Sequence, residues 1–310
     1  MNKIMLAMAA VPFCQSLVAA PFQLIGNSAE LSSSVYNLNP ATGVASVPRN
    51  TGINYLTGIA VDPASGSLYG LTTFASTPAN SLVRIDPLTG AATTVGPTGL
   101  QNIFEGDLAF NPITGDLLGL QDVPNAPDGP YRLFQMDVHT GAATIVGTLP
   151  PGVDYSAMAF DGLGRLFVVD SSGAVNSTLL NVDPLTGAII GSVMMNVNLG
   201  ATAGLAFDPA SGIAYIADGG NSGTASLYRL NVDTGQATLI GPTGVADGIA
   251  GLAFLPVPEP SSLLLFAAAS LGFIQWNRRS RARTLAAGGD PHFCNRKNCA
   301  VPVTGRLTCH

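Results

Sequence analysis

Gly204-Leu205-Ala206-Phe207-Asp208-Pro209-Ala210-Ser211-Gly212 is the segment of this sequence that best indicates how the chain folds. Four small or apolar residues precede Asp-Pro-x-Ser-Gly, in which the Asp side chain can accept a hydrogen bond from the backbone two residues on and Pro presets φ at about −65°. Glycine at the last position can take the positive φ that closes a hairpin. The segment therefore predicts a strand, a tight turn and a second strand.

The strand part of this segment occurs five times along the chain. The other copies are Gly58-Ile59-Ala60-Val61, Asp107-Leu108-Ala109-Phe110, Ala157-Met158-Ala159-Phe160 and Gly251-Leu252-Ala253-Phe254. A Thr-Gly pair recurs in phase with them, beginning at Thr42, Thr89, Thr140, Thr186 and Thr234. Such a spacing indicates one supersecondary unit copied along the chain.

Each copy contains four strand-like pieces, predicted in the clearest case at residues 204–207, 213–217, 226–230 and 236–240. Four strands in about 40–50 residues are typical of a β-propeller blade. Over residues 22–255 the repeats resemble bacterial propeller repeats of the NHL and YVTN kinds, which implies that the Gly-Leu-Ala-Phe strand is innermost. Small residues such as Gly58, Gly204 and Gly251 favour the same assignment independently of the resemblance, because inner strands crowd together at a propeller axis.

The last copy stops after its inner strand at Phe254, and the three missing strands are predicted at 22–25, 35–38 and 44–47. Both termini would then build the first blade, which closes the ring and removes free sheet edges. We therefore predict an all-β fold, a five-bladed propeller over residues 21–256. A signal helix precedes it in this prediction, and a single transmembrane helix follows it.

Residues 1–20 have a short basic start, an apolar middle and the small residues Ala19 and Ala20 at the end. This order is typical of a secretory signal peptide, and the alternative is a buried first helix. The four cysteines are Cys14, Cys294, Cys299 and Cys309. The predicted propeller contains none of them, so its stability must come from an apolar core.

After the repeats come Val257-Pro258-Glu259-Pro260, an apolar run over residues 263–276, and Arg278, Arg279, Arg281 and Arg283. As a helix, the apolar run would rise about 21 Å, less than a hydrocarbon core of about 30 Å, so a permanent anchor would be longer. The arginines would stay on the cytoplasmic side and leave the repeats outside.

This order over residues 257–283 resembles the PEP-CTERM sorting signal of exported bacterial proteins. The resemblance implies export, transient insertion in the inner membrane and processing by an exosortase. It makes Pro258, Glu259 and Pro260 the recognition motif, and the arginines the stop-transfer charges.

The resemblance leaves residues 284–310 unexplained, since such signals end soon after the arginines. This tail contains His292, Cys294, Cys299, Cys309 and His310. A zinc site is one interpretation of it, although the cysteine spacing matches no standard zinc finger. A disordered extension is the other.

Charge is distributed unevenly between the repeats and the end of the chain. Residues 21–260 contain 18 acidic residues and five arginines. Such an acidic surface repels phosphate backbones, so we expect no nucleic-acid partner.

The irregular connections, opposite the Asp-Pro turns, are where binding residues are expected. The predicted ligand face comprises Arg49, Asn54, Tyr55, Asn102, Glu105, Asp154, Tyr155 and Asp247. Glu105, Asp107, Asp154 and Asp247 are candidate calcium ligands, because calcium takes several oxygen ligands. Ordinary solvated loop acids are the alternative, and no other cofactor is expected.

Catalytic residues are scarce. His139 is the one histidine between residues 21 and 257, and it lies in an Asp-x-x-Thr-Gly turn away from the irregular connections. We therefore predict a non-enzymatic surface or matrix protein that binds extracellular polysaccharide or a surface protein. The alternative is an exported enzyme acting on polysaccharide or a lactone, with Glu105 and Asp154 as its carboxylate pair.

Overall fold

The computed structural model describes residues 22–122, 131–150, 154–171, 176–200, 203–219, 225–246 and 248–257. These residues form 20 β-strands in five antiparallel sheets of four strands each. The described ranges contain no helix. The predicted all-β, five-bladed propeller is therefore confirmed.

The blades are numbered by their order in the ring. Blade 1 contains β1 (Phe22–Asn27), β2 (Ser34–Asn37), β3 (Arg49–Asn50) and β20 (Gly251–Pro256). Blade 2 contains β4 (Leu56–Val61), β5 (Leu68–Thr72), β6 (Ser81–Ile85) and β7 (Ala92–Pro97). Blade 3 contains β8 (Leu108–Phe110), β9 (Leu117–Gln121), β10 (Tyr131–Met136) and β11 (Ala143–Leu149). Blade 4 contains β12 (Tyr155–Phe160), β13 (Leu166–Asp170), β14 (Thr178–Val182) and β15 (Ile189–Met194). Blade 5 contains β16 (Ala203–Phe207), β17 (Ala214–Asp218), β18 (Ser226–Asn231) and β19 (Gln236–Pro242).

The ring is closed by both ends of the described chain, as predicted. β20 pairs with β1 in six positions, from Phe22 with Pro256 to Asn27 with Gly251. The inner strands β4, β8, β12, β16 and β20 contact one another around the axis. The propeller within residues 22–257 is thus a complete ring that needs no further strand.

The core lies between the blades, with one apolar cluster at each of the five blade–blade junctions. Alternating side chains explain this arrangement, because successive residues of a strand point to opposite faces. In β12, Met158 packs toward blade 3 and Ala157 toward blade 5. Inner and second strands are therefore buried on both faces, whereas β15 is largely exposed.

Glycines allow the inner strands to meet at the axis. A Cβ on Gly204 would lie 2.8 Å from the backbone of Gly251. A Cβ on Gly58 would lie 2.6 Å from the Cα of Asp107 and closer still to its carboxylate. Real Cβ contacts are not this short, so the crowding that the sequence predicted is present.

The outer strand of blade 1 differs from the prediction. We predicted it at 44–47, but it is β3 at Arg49–Asn50, and Ala45 forms only an isolated bridge with Leu38. The Ser46 hydroxyl accepts the N–H of Asn37 at 2.9 Å, in place of a backbone carbonyl. Pro48 has no N–H to donate. Regular pairing therefore resumes only after Pro48.

Several sequence predictions fall outside the described residues: the signal peptide 1–20, Pro258, Glu259 and Pro260, the transmembrane helix, the arginines and the tail 284–310. Within the part of the chain that the structure describes, we find no helix long and apolar enough to span a membrane.

We predict that Gly58→Ala destabilises the propeller by about 1–3 kcal/mol, because the added methyl group overpacks the axis. Gly191→Ala in β15 is the matched control, since no atom lies within 4 Å of the position of its Cβ. It should change stability by less than about 1 kcal/mol. Guanidinium unfolding measures both, and equal stability of the two variants would contradict the crowded axis.

Candidate functional site

The alternating strand directions give the propeller two different ends. The tight turns lie at one end, the turn face, and those nearest the axis are 62–66, 111–115, 161–164 and 208–212. The longer connections lie at the other end, the loop face, and include 51–55, 73–80, 98–107 and 243–246.

The aspartates of the tight turns accept hydrogen bonds within their own turns. Asp208 accepts a hydrogen bond from the Ala210 N–H at 2.9 Å and from the Ser211 hydroxyl at 2.6 Å. The Gly212 N–H donates to the Asp208 carbonyl at 2.7 Å, and Gly212 has φ +72°. The Asp-Pro turn thus has the structural role that its sequence predicted.

Three carboxylates meet on the loop face at the junction of blades 3 and 4. One oxygen from each of Glu105, Asp122 and Asp154 lies within 4.8 Å of the other two, and we call these residues the acidic cluster. Glu105 precedes β8, Asp122 follows β9, and Asp154 precedes β12. A backbone hydrogen bond holds Glu105 and Asp122 next to each other, because the Asp122 N–H donates to the Glu105 carbonyl at 3.0 Å.

Two members of the cluster, Glu105 and Asp154, have raised pKa values. Burial, with the charges of Asp154 and Asp122, raises the pKa of Glu105 from 4.5 to about 8. Burial and the charge of Asp170 also raise the pKa of Asp154. Glu105 Oε2 is buried and has no hydrogen-bond partner among the described residues. Such an oxygen is available to a cation or to a ligand hydroxyl.

An exposed aromatic pair lies next to the acidic cluster. The rings of Phe74 and Phe104 are 6.1 Å apart with an interplanar angle of 31°. Their exposed fractions are 41% and 45%. The Phe74 N–H donates to the Ile103 carbonyl at 2.7 Å, and the Phe104 N–H donates to the Asp122 carbonyl at 2.9 Å. These backbone hydrogen bonds therefore attach both phenylalanines to the segments that carry Glu105 and Asp122.

Asp107, a predicted calcium ligand, is fully buried near the axis. Its Oδ1 accepts the Leu108 N–H at 2.8 Å, and its Oδ2 accepts the Met158 N–H at 2.9 Å. Burial raises its pKa well above the ordinary value. The structure thus gives Asp107 the task of joining the inner strands of blades 3 and 4.

Tyr155, a predicted ligand-face residue, is fully buried. Its hydroxyl donates to the Pro150 carbonyl at 3.0 Å, and its ring packs edge-on against Tyr131, 5.1 Å away. Burial raises the pKa of both tyrosines. The structure places Tyr155 in the core beneath the cluster, because its side chain points into the blade 3–4 junction.

The other predicted ligand-face residues are dispersed. Arg49 lies in β3, and its guanidinium donates to Asn37 Oδ1 at 2.7 Å. The Asn54 side chain donates to the Ala75 carbonyl at 2.9 Å and so connects the 51–55 segment to the 73–80 loop. Tyr55 and Asn102 adopt positive φ at loop bends. Asp247 lies outside the described residues. Among the described members of the predicted ligand face, the structure brings Glu105 and Asp154 together.

Sequence reasoning missed Asp122 and the phenylalanine pair. A signal for Asp122 existed, because Asp122, Asp170 and Asp218 are spaced 48 residues apart at the loop-face ends of second strands. Phe74 has no such signal, because it lies two residues beyond the end of β5 and is not an acid.

Solved structures with similar folds were found at low identity. A chain of the nidogen/laminin complex is 12% identical, with a TM-score of 0.47 over 76% of this chain and 98% of that one. A protein of unknown function from Bacteroides caccae is 13% identical, with a TM-score of 0.48 over 77% and 100%. TolB from Acinetobacter baumannii is 14% identical, with a TM-score of 0.43 over 73% and 52%.

Among curated protein sequences, none matches this chain. Residues 256–279 match the family model of the PEP-CTERM protein-sorting motif, which confirms the sorting signal predicted from the sequence. This chain therefore carries a PEP-CTERM sorting motif after a five-bladed β-propeller, and the motif indicates export through the membrane to the cell surface or the extracellular space.

Proposed function

We propose that this protein is an exported, non-catalytic propeller that binds an extracellular polysaccharide at its loop face. The sorting motif implies processing by an exosortase and delivery outside the cell. The exposed Phe74–Phe104 pair beside the acidic cluster is the observation that carries the proposal.

Sugar rings have apolar C–H faces and many hydroxyl groups. An aromatic surface can cover the C–H face, while carboxylate oxygens accept hydrogen bonds from the hydroxyls. Phe74 and Phe104 supply the first kind of contact, and the buried, unpartnered Oε2 of Glu105 supplies the second. Apolar and aromatic walls with a few convergent polar groups are typical of ligand sites.

Calcium is the cation that the acidic cluster would hold in this proposal. Calcium binds oxygen ligands at about 2.3–2.6 Å, so oxygens on one ion lie within about 5 Å of one another. The separations in the cluster meet this condition. Bound calcium would stabilise the ionised carboxylates and could also accept sugar hydroxyls as ligands.

A second candidate function is glycoside cleavage by the same carboxylates. It is favoured by the raised pKa of Glu105, about 8, since a general acid must hold its proton at neutral pH. Asp154 would be its partner: one oxygen of each carboxylate lies within 4.8 Å of the other, and a retaining mechanism uses carboxyl groups about 5–5.5 Å apart.

We predict that Phe74→Ala and Phe104→Ala each weaken polysaccharide binding about fivefold, because each removes about 1 kcal/mol of aromatic contact. Affinity electrophoresis of the propeller, residues 21–257, in a panel of bacterial exopolysaccharides measures this. Leu185→Ala, an exposed apolar side chain in a turn, is the control and should bind as the parent does. If no polysaccharide slows the parent, or if all variants behave alike, the proposal fails.

We predict that calcium binds with an affinity that rises as pH increases through about 8, because Glu105 is protonated below its raised pKa and protons compete with the ion. Glu105→Gln should weaken binding at least about tenfold and flatten this pH dependence. Asp233→Asn, an exposed turn acid, should change neither. Calorimetric titration with CaCl2 at pH 6 and pH 9 tests this, and equal affinities at the two pH values would contradict it.

The two candidate functions are separated by product analysis. Incubation of the propeller with polysaccharides and lactones should release no product from either class. Release that is abolished by both Glu105→Gln and Asp154→Asn would instead support the enzyme.

A further inference from the structure

A cavity of about 280 Å³ lies on the propeller axis and opens on the turn face, away from the acidic cluster. Its walls are the ends of the inner strands, with Val61, Phe110, Phe160, Phe207 and Phe254 at equivalent positions. Its rim comprises Pro63, Pro112, Gly162, Pro209 and Pro256, and we call rim and cavity together the channel mouth. Most of the surface of the channel mouth is apolar.

Exposed apolar side chains extend this surface. Ile113 is 67% exposed and Leu163 is 77% exposed, each at the tip of a turn beside the rim. The two turns touch, because a Cβ on Gly164 would lie 3.0 Å from Ile113 Cγ1. Single exposed apolar residues are common on proteins, but two beside an open apolar cavity form a patch of the kind that binds a partner.

The chain leaves the propeller at this patch. Pro256 ends β20 and lines the channel mouth, and the apolar run of the sequence begins at Leu263. Six extended residues span at most about 20 Å. The sorting motif, which brings the protein to a membrane, therefore follows directly on the channel-mouth end of β20.

Charges at the channel mouth determine which lipid suits it. Asp161 pairs with Arg165 at 2.7 Å, and Asp62 and Asp208 accept hydrogen bonds within their own turns. The acids outnumber the arginine, so anionic headgroups would be repelled and neutral headgroups tolerated.

We propose that the channel mouth is a lipid-binding surface: the propeller rests on the bilayer through the 111–115 and 161–164 turns, and an acyl chain of a neutral phospholipid enters the axial cavity. This proposal is independent of the loop face and of what binds there.

Labelling of the full chain tests the proposal directly. Because residues 22–257 contain no cysteine, replacing Cys14, Cys294, Cys299 and Cys309 by Ser gives a background for single labels. Ile113→Cys and Leu163→Cys report on the channel mouth, and Phe104→Cys, 45% exposed on the loop face, is the control. Each variant carries an environment-sensitive fluorophore and is inserted in phosphatidylcholine nanodiscs. Some of the lipids in these nanodiscs bear a nitroxide group near the headgroup.

At positions 113 and 163 we expect blue-shifted emission and loss of about half of the fluorescence to the nitroxides, because interfacial side chains sit about 5–10 Å into the headgroup boundary. Position 104 should show neither. Equal quenching at all three positions, or no quenching at 113 and 163, would overturn the proposal. The same blue shift without lipid would also overturn it, since a second copy would then cover the patch.

A second variant separates lipid contact from mere tethering. A label at Ala64→Cys, in the exposed turn of blade 2 next to Pro63 of the channel mouth, should also be quenched by the nitroxides. The double change Ile113→Asp and Leu163→Asp should abolish this quenching, while Ile113→Leu should preserve it. Unchanged thermal unfolding shows that the variants fold. Quenching that survives the double change, or that increases in phosphatidylglycerol nanodiscs, contradicts a neutral-lipid surface.

Discussion

The antiparallel pairing of β1 with β20 is the interaction on which the rest of this structure depends. It joins the two ends of the propeller across six residue pairs and leaves no inner strand without a neighbour. A ring of five blades has a narrow axis, so glycines at positions such as Gly58 and Gly204 are needed where the strands meet. Closure thus determines both the crowded axis and the five apolar junctions that stabilise the blades.

Closure also separates two surfaces with different chemistry. Every blade sends its tight turns to one end, where aspartates bind their own backbone and the axial cavity is apolar. The opposite end gathers long connections, and there blades 3 and 4 bring three carboxylates beside two phenylalanines. A polar ligand and a lipid surface could be bound at once, because the two sites lie at opposite ends of the inner strands.

The fold could be predicted from the sequence because its determinants are local and repeated. The Asp-Pro turn and the Gly-Leu-Ala-Phe strand each act within about ten residues, and five copies reinforce the inference. The outer strand of blade 1 could not be predicted, since a Ser46 side-chain hydrogen bond and Pro48 displaced it. In the site, Glu105 and Asp154 were anticipated as loop acids, but Asp122 and Phe74 were not, because their proximity depends on how two blades pack. Asp107 and Tyr155 were assigned to the surface, and only the packing of the blade 3–4 junction shows them buried.

A disulfide across the closing pair tests the central claim most directly. Gln23 lies opposite Leu255 in the β1–β20 ladder, and the propeller has no cysteine of its own. With Gln23→Cys and Leu255→Cys, the folded propeller should oxidise to a faster-migrating, cyclic species and unfold at a higher temperature than its reduced form. A double variant that stays reduced while folded, and forms the bond only after unfolding, would show that the termini do not close the ring.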